Sequence, residues 1–248
     1  MRKILYSIVL TTLLIGTSVY TGQAQNDTRD DVRLFQSFFR DAPITSLAYG
    51  NGTVDYNDFD FFDRTSFGFQ GGYAVLPELE IGAGIFYHSL NFEQFDSQSG
   101  IADIPVFGRY NFISEETTFS GGGFVTLPVG SEDIGMGNLN FGFFGAVRHP
   151  ASEYVILTGN VGVDFIETPI NDKEASLNLG GGVIYAANEK LNILGEISIQ
   201  TETDFSALSG GADYLLGDII RLRGNLLFGL DDNAPDFGVS GGVVFVLQ

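Results

Sequence analysis

The sequence has no cysteine and only two histidines. The first absence excludes disulfides, thiolate catalysis and Cys-ligated metals. The second leaves a catalytic zinc centre without ligands, so no metal and no cofactor is expected. Beyond the first two dozen residues, no stretch approaches 18 uninterrupted apolar residues. That excludes membrane-spanning helices but not membrane-spanning strands. Basic residues are also scarce. Twelve Lys and Arg stand against 31 Asp and Glu, for a formal charge of -19. Nucleic-acid phosphates would be repelled by such a chain, whereas cations and basic partners would be attracted.

The usual constellations of hydrolytic chemistry are missing too. A lipid-hydrolysing enzyme needs a serine and a histidine within hydrogen-bond reach. His88 and Ser89 are adjacent, and adjacent residues of a strand face opposite ways. His149 falls in a short turn with no serine and acid grouped around it. The glycine triplets Gly121-Gly122-Gly123 and Gly180-Gly181-Gly182 lie inside strand patterns, where no phosphate cradle forms. Asp231-Asp232-Asn233 is too short for a calcium loop. An enzyme is not expected.

What is present begins with a leader. Arg2 and Lys3 precede an apolar run from Ile4 to Ile15, and Gly22-Gln23-Ala24 forms a small-residue cleavage site. Residues 1–24 therefore read as a signal peptide, with an uncleaved anchor as the alternative. Residues 25–45 lack the strand pattern. Leu34, Phe35, Phe38 and Phe39 fall at i, i+1, i+4 and i+5, which predicts a short amphipathic helix. It would lie on the barrel wall or at the periplasmic rim, or enter the barrel as a plug.

Residues 46–248 repeat one pattern, with apolar residues alternating against small or polar ones. The pattern predicts strands at Ser46–Tyr56, Arg64–Leu76, Leu79–Asn91, Ile101–Ile113, Thr117–Val129, Met136–Arg148, Tyr154–Glu167, Ala175–Ala187, Leu191–Gln200, Phe205–Leu216, Ile219–Leu230 and Phe237–Leu247. The connections alternate short and long, with long ones at Asn57–Asp63, Phe92–Gly100, Gly130–Gly135, Thr168–Glu174, Thr201–Asp204 and Asp231–Asp236. Strands that cross a bilayer need about 9–11 residues, and outer-membrane barrels join an even number by short periplasmic turns and longer external loops. The expected fold is all-β, a transmembrane antiparallel up-and-down barrel of about 12 strands. Both termini reach the periplasm only if the first strand, whose local pattern is weak, is real. A soluble β-sandwich or an eight-stranded ligand barrel is the alternative, but the strands are long for a globular protein.

The period of two sorts side chains by face. Glu196, Arg221 and Arg223 sit on faces that cannot point into lipid, where a midplane Arg or Lys costs about 2–4 kcal/mol. The same sorting puts Arg64, Glu80, His88, Asp103, Arg109, Arg148, Asp164 and Asp213 in the lumen, with Asp213 across from Arg221 or Arg223 as an ion pair. Such pairs either fix a narrow interior or guide solute. Asp58, Asp60, Glu93, Asp96, Asp172, Asp231 and Asp232 crowd the external loops as an acidic rim, read either as solvation or as an electrostatic screen.

Several short motifs carry a family likeness. They are Gly100-Ile101-Ala102-Asp103 at a strand entry, Leu127-Pro128-Val129-Gly130 at a strand end, and Gly159-Asn160-Val161-Gly162. Tyr73 to Gly82 (YAVLPELEIG) forms a turn into a strand that begins with an acid and an aliphatic. In this order, over residues 64 to 167, the chain resembles the outer-membrane transporters associated with the MetA pathway of phenol degradation. Ala102 stands where that family often has Gly, and the chain ends Phe245-Val246-Leu247-Gln248 rather than on an aromatic residue. The resemblance implies a barrel of about twelve strands and a transport role. The expected function is an outer-membrane channel or transporter for small solutes, with hydrophobic or aromatic compounds as candidates. A non-conducting structural or adhesion barrel that displays acidic loops is the alternative. The expected partners are outer-membrane lipid, a small-molecule solute and the barrel-assembly machinery. The expected setting is the Gram-negative outer membrane after signal-peptide cleavage, and the expected state a monomer.

Overall fold

The computed structural model describes residues 31–44, 46–167 and 173–247. The signal peptide, residues 25–30 and Asp172 lie outside the described residues. The strands are β1 (Ala48–Phe59), β2 (Phe62–Leu76), β3 (Leu79–Phe92), β4 (Gln98–Ile101), β5 (Ile104–Ser114), β6 (Thr118–Leu127), β7 (Asn140–Pro150), β8 (Val155–Ile166), β9 (Glu174–Ala186), β10 (Leu191–Gln200), β11 (Phe205–Gly217), β12 (Ile220–Gly229) and β13 (Phe237–Leu247). Every pairing is antiparallel, and β1 pairs with both β2 and β13. With β2 on β3 as well, the sheet closes on itself and leaves no open edge. This is the closed twelve-strand barrel, because β4 and β5 are two halves of one wall strand. Along β3 the register runs from Ala83↔Val106 to Tyr87↔Ile101, one residue out of step across the Ala102-Asp103 break. An extra residue in one strand is a β-bulge, and Pro105, which has no N–H to donate, lies beside it.

The weak first strand is real and closes the ring. Its outward positions include Gly50 and Gly52, so its local apolar signal is poor. The ring of Phe69 on β2 covers that gap: a Cβ placed on Gly50 would lie 3.1 Å from Phe69 Cζ. Outward side chains elsewhere are large and apolar, such as Phe67, Ile81, Ile85, Phe143, Leu179, Ile193, Leu208 and Leu226. Exposed Tyr73, Tyr110, Tyr185 and Tyr214 sit near the strand ends on the short-turn side. An aromatic band at that level is what a membrane interface favours.

Two connections differ from the sequence expectation. The first long loop does not exist, because β1 and β2 pair up to Phe59↔Phe62 and turn at Asp60-Phe61. Asp58, expected in a loop, is therefore a strand residue at the tip of β1. The β6–β7 connection is longer than expected, and Met136 to Leu139 are not in a strand. The cause is Asp103, whose carboxylate accepts the N–H groups of Gly130 at 2.9 Å and Met136 at 2.8 Å. Gly137 turns the loop at φ 71°. Asp60, Glu93, Asp96, Asp231 and Asp232 are exposed at the long-loop end.

Candidate functional site

The lumen is not empty. Residues 31–44 lie inside it, with Val32, Arg33, Leu34, Ser37, Phe38, Asp41 and Ala42 buried. The helix expected for this segment is absent. A single 3-10 turn covers Phe38–Arg40, and the four apolar residues point at different walls. Leu34 joins Val32 against Ile156, Ile184 and Leu194. Phe35 lies under the guanidinium of Arg223, 4.5 Å from ring centroid to Cζ. Phe38 meets Tyr49 edge-on at 5.6 Å, and Phe39 faces Phe107, Phe124 and Phe144.

A buried backbone must find hydrogen-bond partners, and here the wall provides them instead of a helix. The carboxylate of Glu196 accepts the N–H groups of Phe35, Gln36 and Ser37 at 2.8, 2.9 and 2.8 Å, and the Ser37 hydroxyl at 2.8 Å. Three successive N–H groups surround one carboxylate that has no cation opposite it on either neighbouring strand. Arg148 donates to the carbonyl of Val32 at 2.7 Å, Arg109 to that of Asp41 at 2.6 Å, and Arg223 to that of Arg33.

Ion pairs complete the attachment. Glu80 lies between Arg109 at 2.9 Å and Arg33 at 3.3 Å, and Tyr49 donates its hydroxyl to it at 3.2 Å. Arg40 pairs with Asp164 at 2.6 Å. Asp41 pairs with Arg148 at 3.3 Å and accepts the Thr158 hydroxyl at 3.0 Å. Buried charges need partners of this kind because burial without them costs several kcal/mol. The glycines of the inner face make room for the segment. A Cβ on Gly180 would stand 2.6 Å from Ser37 Oγ, and one on Gly182 would stand 2.8 Å from Leu34.

The lumen residues singled out by sequence divide into four groups. Glu80, Arg109, Arg148, Asp164, Glu196 and Arg223 contact the N-terminal segment. Asp213 forms a pair within the wall, at 2.7 Å to Arg221 and 3.2 Å to Arg223. Asp103 anchors the β6–β7 loop and is not a free lumen charge. Arg64 and His88 stand on the inner face toward the long-loop end, away from the segment. His88 Nδ1 lies 2.8 Å from Ser66 Oγ on β2, a cross-strand partner that adjacency in sequence hid. Among the described residues no carboxylate is hydrogen-bonded to His88. Sequence reading missed Arg33, Arg40 and Asp41. The available signal was the wall itself, where Glu196 and Asp164 have no basic residue opposite on either neighbouring strand.

At the long-loop mouth a cavity of about 460 Å³ is lined by Ile166, Gln200, Phe205, Glu174 and Glu202 among others. The Glu202 carboxyl sits above its ordinary range, first because it hydrogen-bonds the carboxyl of Glu174 and then because of the like charge there.

No protein-family model and no curated sequence matches the chain. Solved structures do. The COG4313 outer membrane channel from Pseudomonas putida F1 superposes with a TM-score of 0.69 at 11% identity, covering 84% of this chain and 98% of that one. The NanC porin superposes at 0.59 and 11% identity, covering 80% and 100%. The KdgM porin, solved with a disordered oligogalacturonate, superposes at 0.55 and 11% identity, covering 80% and 99%. At such identities the likeness concerns the fold alone, and that fold is the outer-membrane β-barrel.

Proposed function

We propose that this protein is an outer-membrane channel for small solutes, opened and closed by its own N-terminal segment. One observation carries the reading: the inner wall holds charged groups whose partners lie on a separable stretch of chain. A barrel built only as a scaffold would need no Glu196 or Asp164, since wall pairs such as Asp213 with Arg221 already fill a lumen. The short-turn end then faces the periplasm, which is also where residues 31–44 enter. The signal peptide, insertion through the barrel-assembly machinery, a monomeric state in outer-membrane lipid and membership of the MetA-associated family belong to the same proposal. Candidate solutes are hydrophobic or aromatic, in keeping with Phe107, Phe124 and Phe144 on the inner wall.

The occupied lumen also favours the competing reading of a non-conducting barrel. Single-channel recording separates the two. The channel reading expects brief openings of the intact protein and long ones of a Glu196→Ala variant. Absence of current from both, in correctly folded protein at any voltage, leaves the structural barrel.

A further inference from the structure

The seat occupied by Phe39 and Arg40 is complementary to more than the segment itself. The Phe39 ring stacks on Phe107 at 5.4 Å and meets Phe124 and Phe144 edge-on at 5.7 and 6.0 Å. Offset and edge-on contacts at these distances are the favoured aromatic geometries. Beside this cage, Arg40 reaches Asp164 Oδ2 at 2.6 Å, and its guanidinium carbon stands 5.3 Å from the Phe39 centroid and 5.4 Å from that of Phe124.

Asp164, like Glu196, has no cation on the neighbouring strands, its cross-strand partners being Gly142 and Ser176. Its second oxygen, Oδ1, is buried and has no hydrogen-bond partner. Gly142 keeps the space around it open, because a Cβ there would collide with both Oδ1 and the Phe124 ring. A buried acceptor without a donor is rare and calls for an explanation. Here an ammonium group, with three donors, would satisfy both oxygens where the guanidinium satisfies one.

We propose that this seat is the solute-recognition site and that its ligand is a small aromatic ammonium ion, with ring and cation separated by a short alkyl spacer. The inference rests on the channel reading and names the solute class for it. Phe39 and Arg40 then act as an internal mimic of the solute. The cage takes the ring, Asp164 takes the cation, and Phe124 adds a cation–π contact. An aromatic carboxylate fits the cage but meets the Asp164 charge. An alkylammonium without a ring meets the carboxylate but leaves the cage bare.

The test uses the full chain in detergent with Phe39→Ala and Arg40→Ala, which vacates the seat while the Glu196 and Asp41 attachments stay. Calorimetry compares phenethylammonium, phenylacetate and ethylammonium. Phenethylammonium should bind at least about tenfold more tightly than either of the others, and adding Asp164→Asn should erase its preference over phenylacetate. Equal affinities, or a preference over phenylacetate that survives Asp164→Asn, overturn the proposal. A second measurement needs no seat variant: influx of the three probes into liposomes carrying the wild-type protein, where phenethylammonium should enter fastest. Influx of all three at one rate overturns the recognition site and leaves the channel standing. A binding preference with no influx of any probe supports the recognition site and overturns the channel.

Discussion

Replacing Glu196 by Ala should unseat the N-terminal segment without dismantling the barrel. Glu196 is 2% exposed and accepts four hydrogen bonds, three of them from consecutive backbone N–H groups. A hydrogen bond to a charged group contributes about 1.5–3 kcal/mol net, and a buried donor left unpaired costs about 1–3 kcal/mol. The four bonds share one carboxylate and do not add. The unseated state also hydrates that carboxylate. A combined loss of about 3–5 kcal/mol in seating is therefore expected, in line with breaking other buried charged contacts. That converts to a rise on the order of a hundred- to several-thousand-fold in the unseated population. The wall should survive, since β10 is held to β9 and β11 by backbone ladders that involve no side chain. Hydrogen exchange at Phe35, Gln36 and Ser37 reads the seating directly, and single-channel recording reads its consequence. Protection of those three amides unchanged within about twofold, in a folded variant, would refute the view that Glu196 holds the segment.

Three further outcomes are expected. Gly180→Ala places a methyl group against Ser37 Oγ and Asn160, an overpacking worth about 1–3 kcal/mol. It should raise exchange in residues 35–38 while the barrel's melting behaviour changes little. Asp103→Ala removes the carboxylate that holds Gly130 and Met136, worth about 3 kcal/mol locally. Protease cleavage between residues 128 and 139 should then become fast, with strand amides still protected. The Glu174–Glu202 contact should depend on pH. The pKa of Glu202 is raised, so the contact is present when a proton is shared and is lost as pH rises through that raised value. Exchange in residues 201–204 should accordingly slow as pH falls from neutral into the range above 4.5, after correction for intrinsic rates. Glu202→Gln should flatten that response.

The wall was legible because a two-residue period survives everywhere one face meets lipid and the other does not. Glu196, Arg221 and Arg223 could be turned inward on cost alone. The first strand was the hard case, since Gly50 and Gly52 carry no apolar side chain and Gly50 is covered by Phe69, a residue of another strand. The N-terminal segment was misread for a different reason. Leu34, Phe35, Phe38 and Phe39 mimic a helix face, but helix formation presumes that the backbone bonds to itself. Here the backbone bonds to Glu196, Arg109, Arg148 and Arg223, residues 68 to 190 positions away. No local pattern carries that information. Met136 to Leu139 were lost to a strand assignment in the same way, through Asp103.

The segment is joined to β1 by residues 43–47 alone, a span that reaches at most about 17 Å when fully extended. If the segment leaves the lumen as proposed, it swings on this connection, and its return is intramolecular. A short tether of this kind holds its end at an effective concentration in the millimolar range. Any soluble molecule competing for the same seat must act against that standing concentration, so its apparent affinity understates its intrinsic one. Reclosure will be independent of protein concentration, and lengthening the tether by a flexible insert should prolong openings without touching a single contact in the lumen.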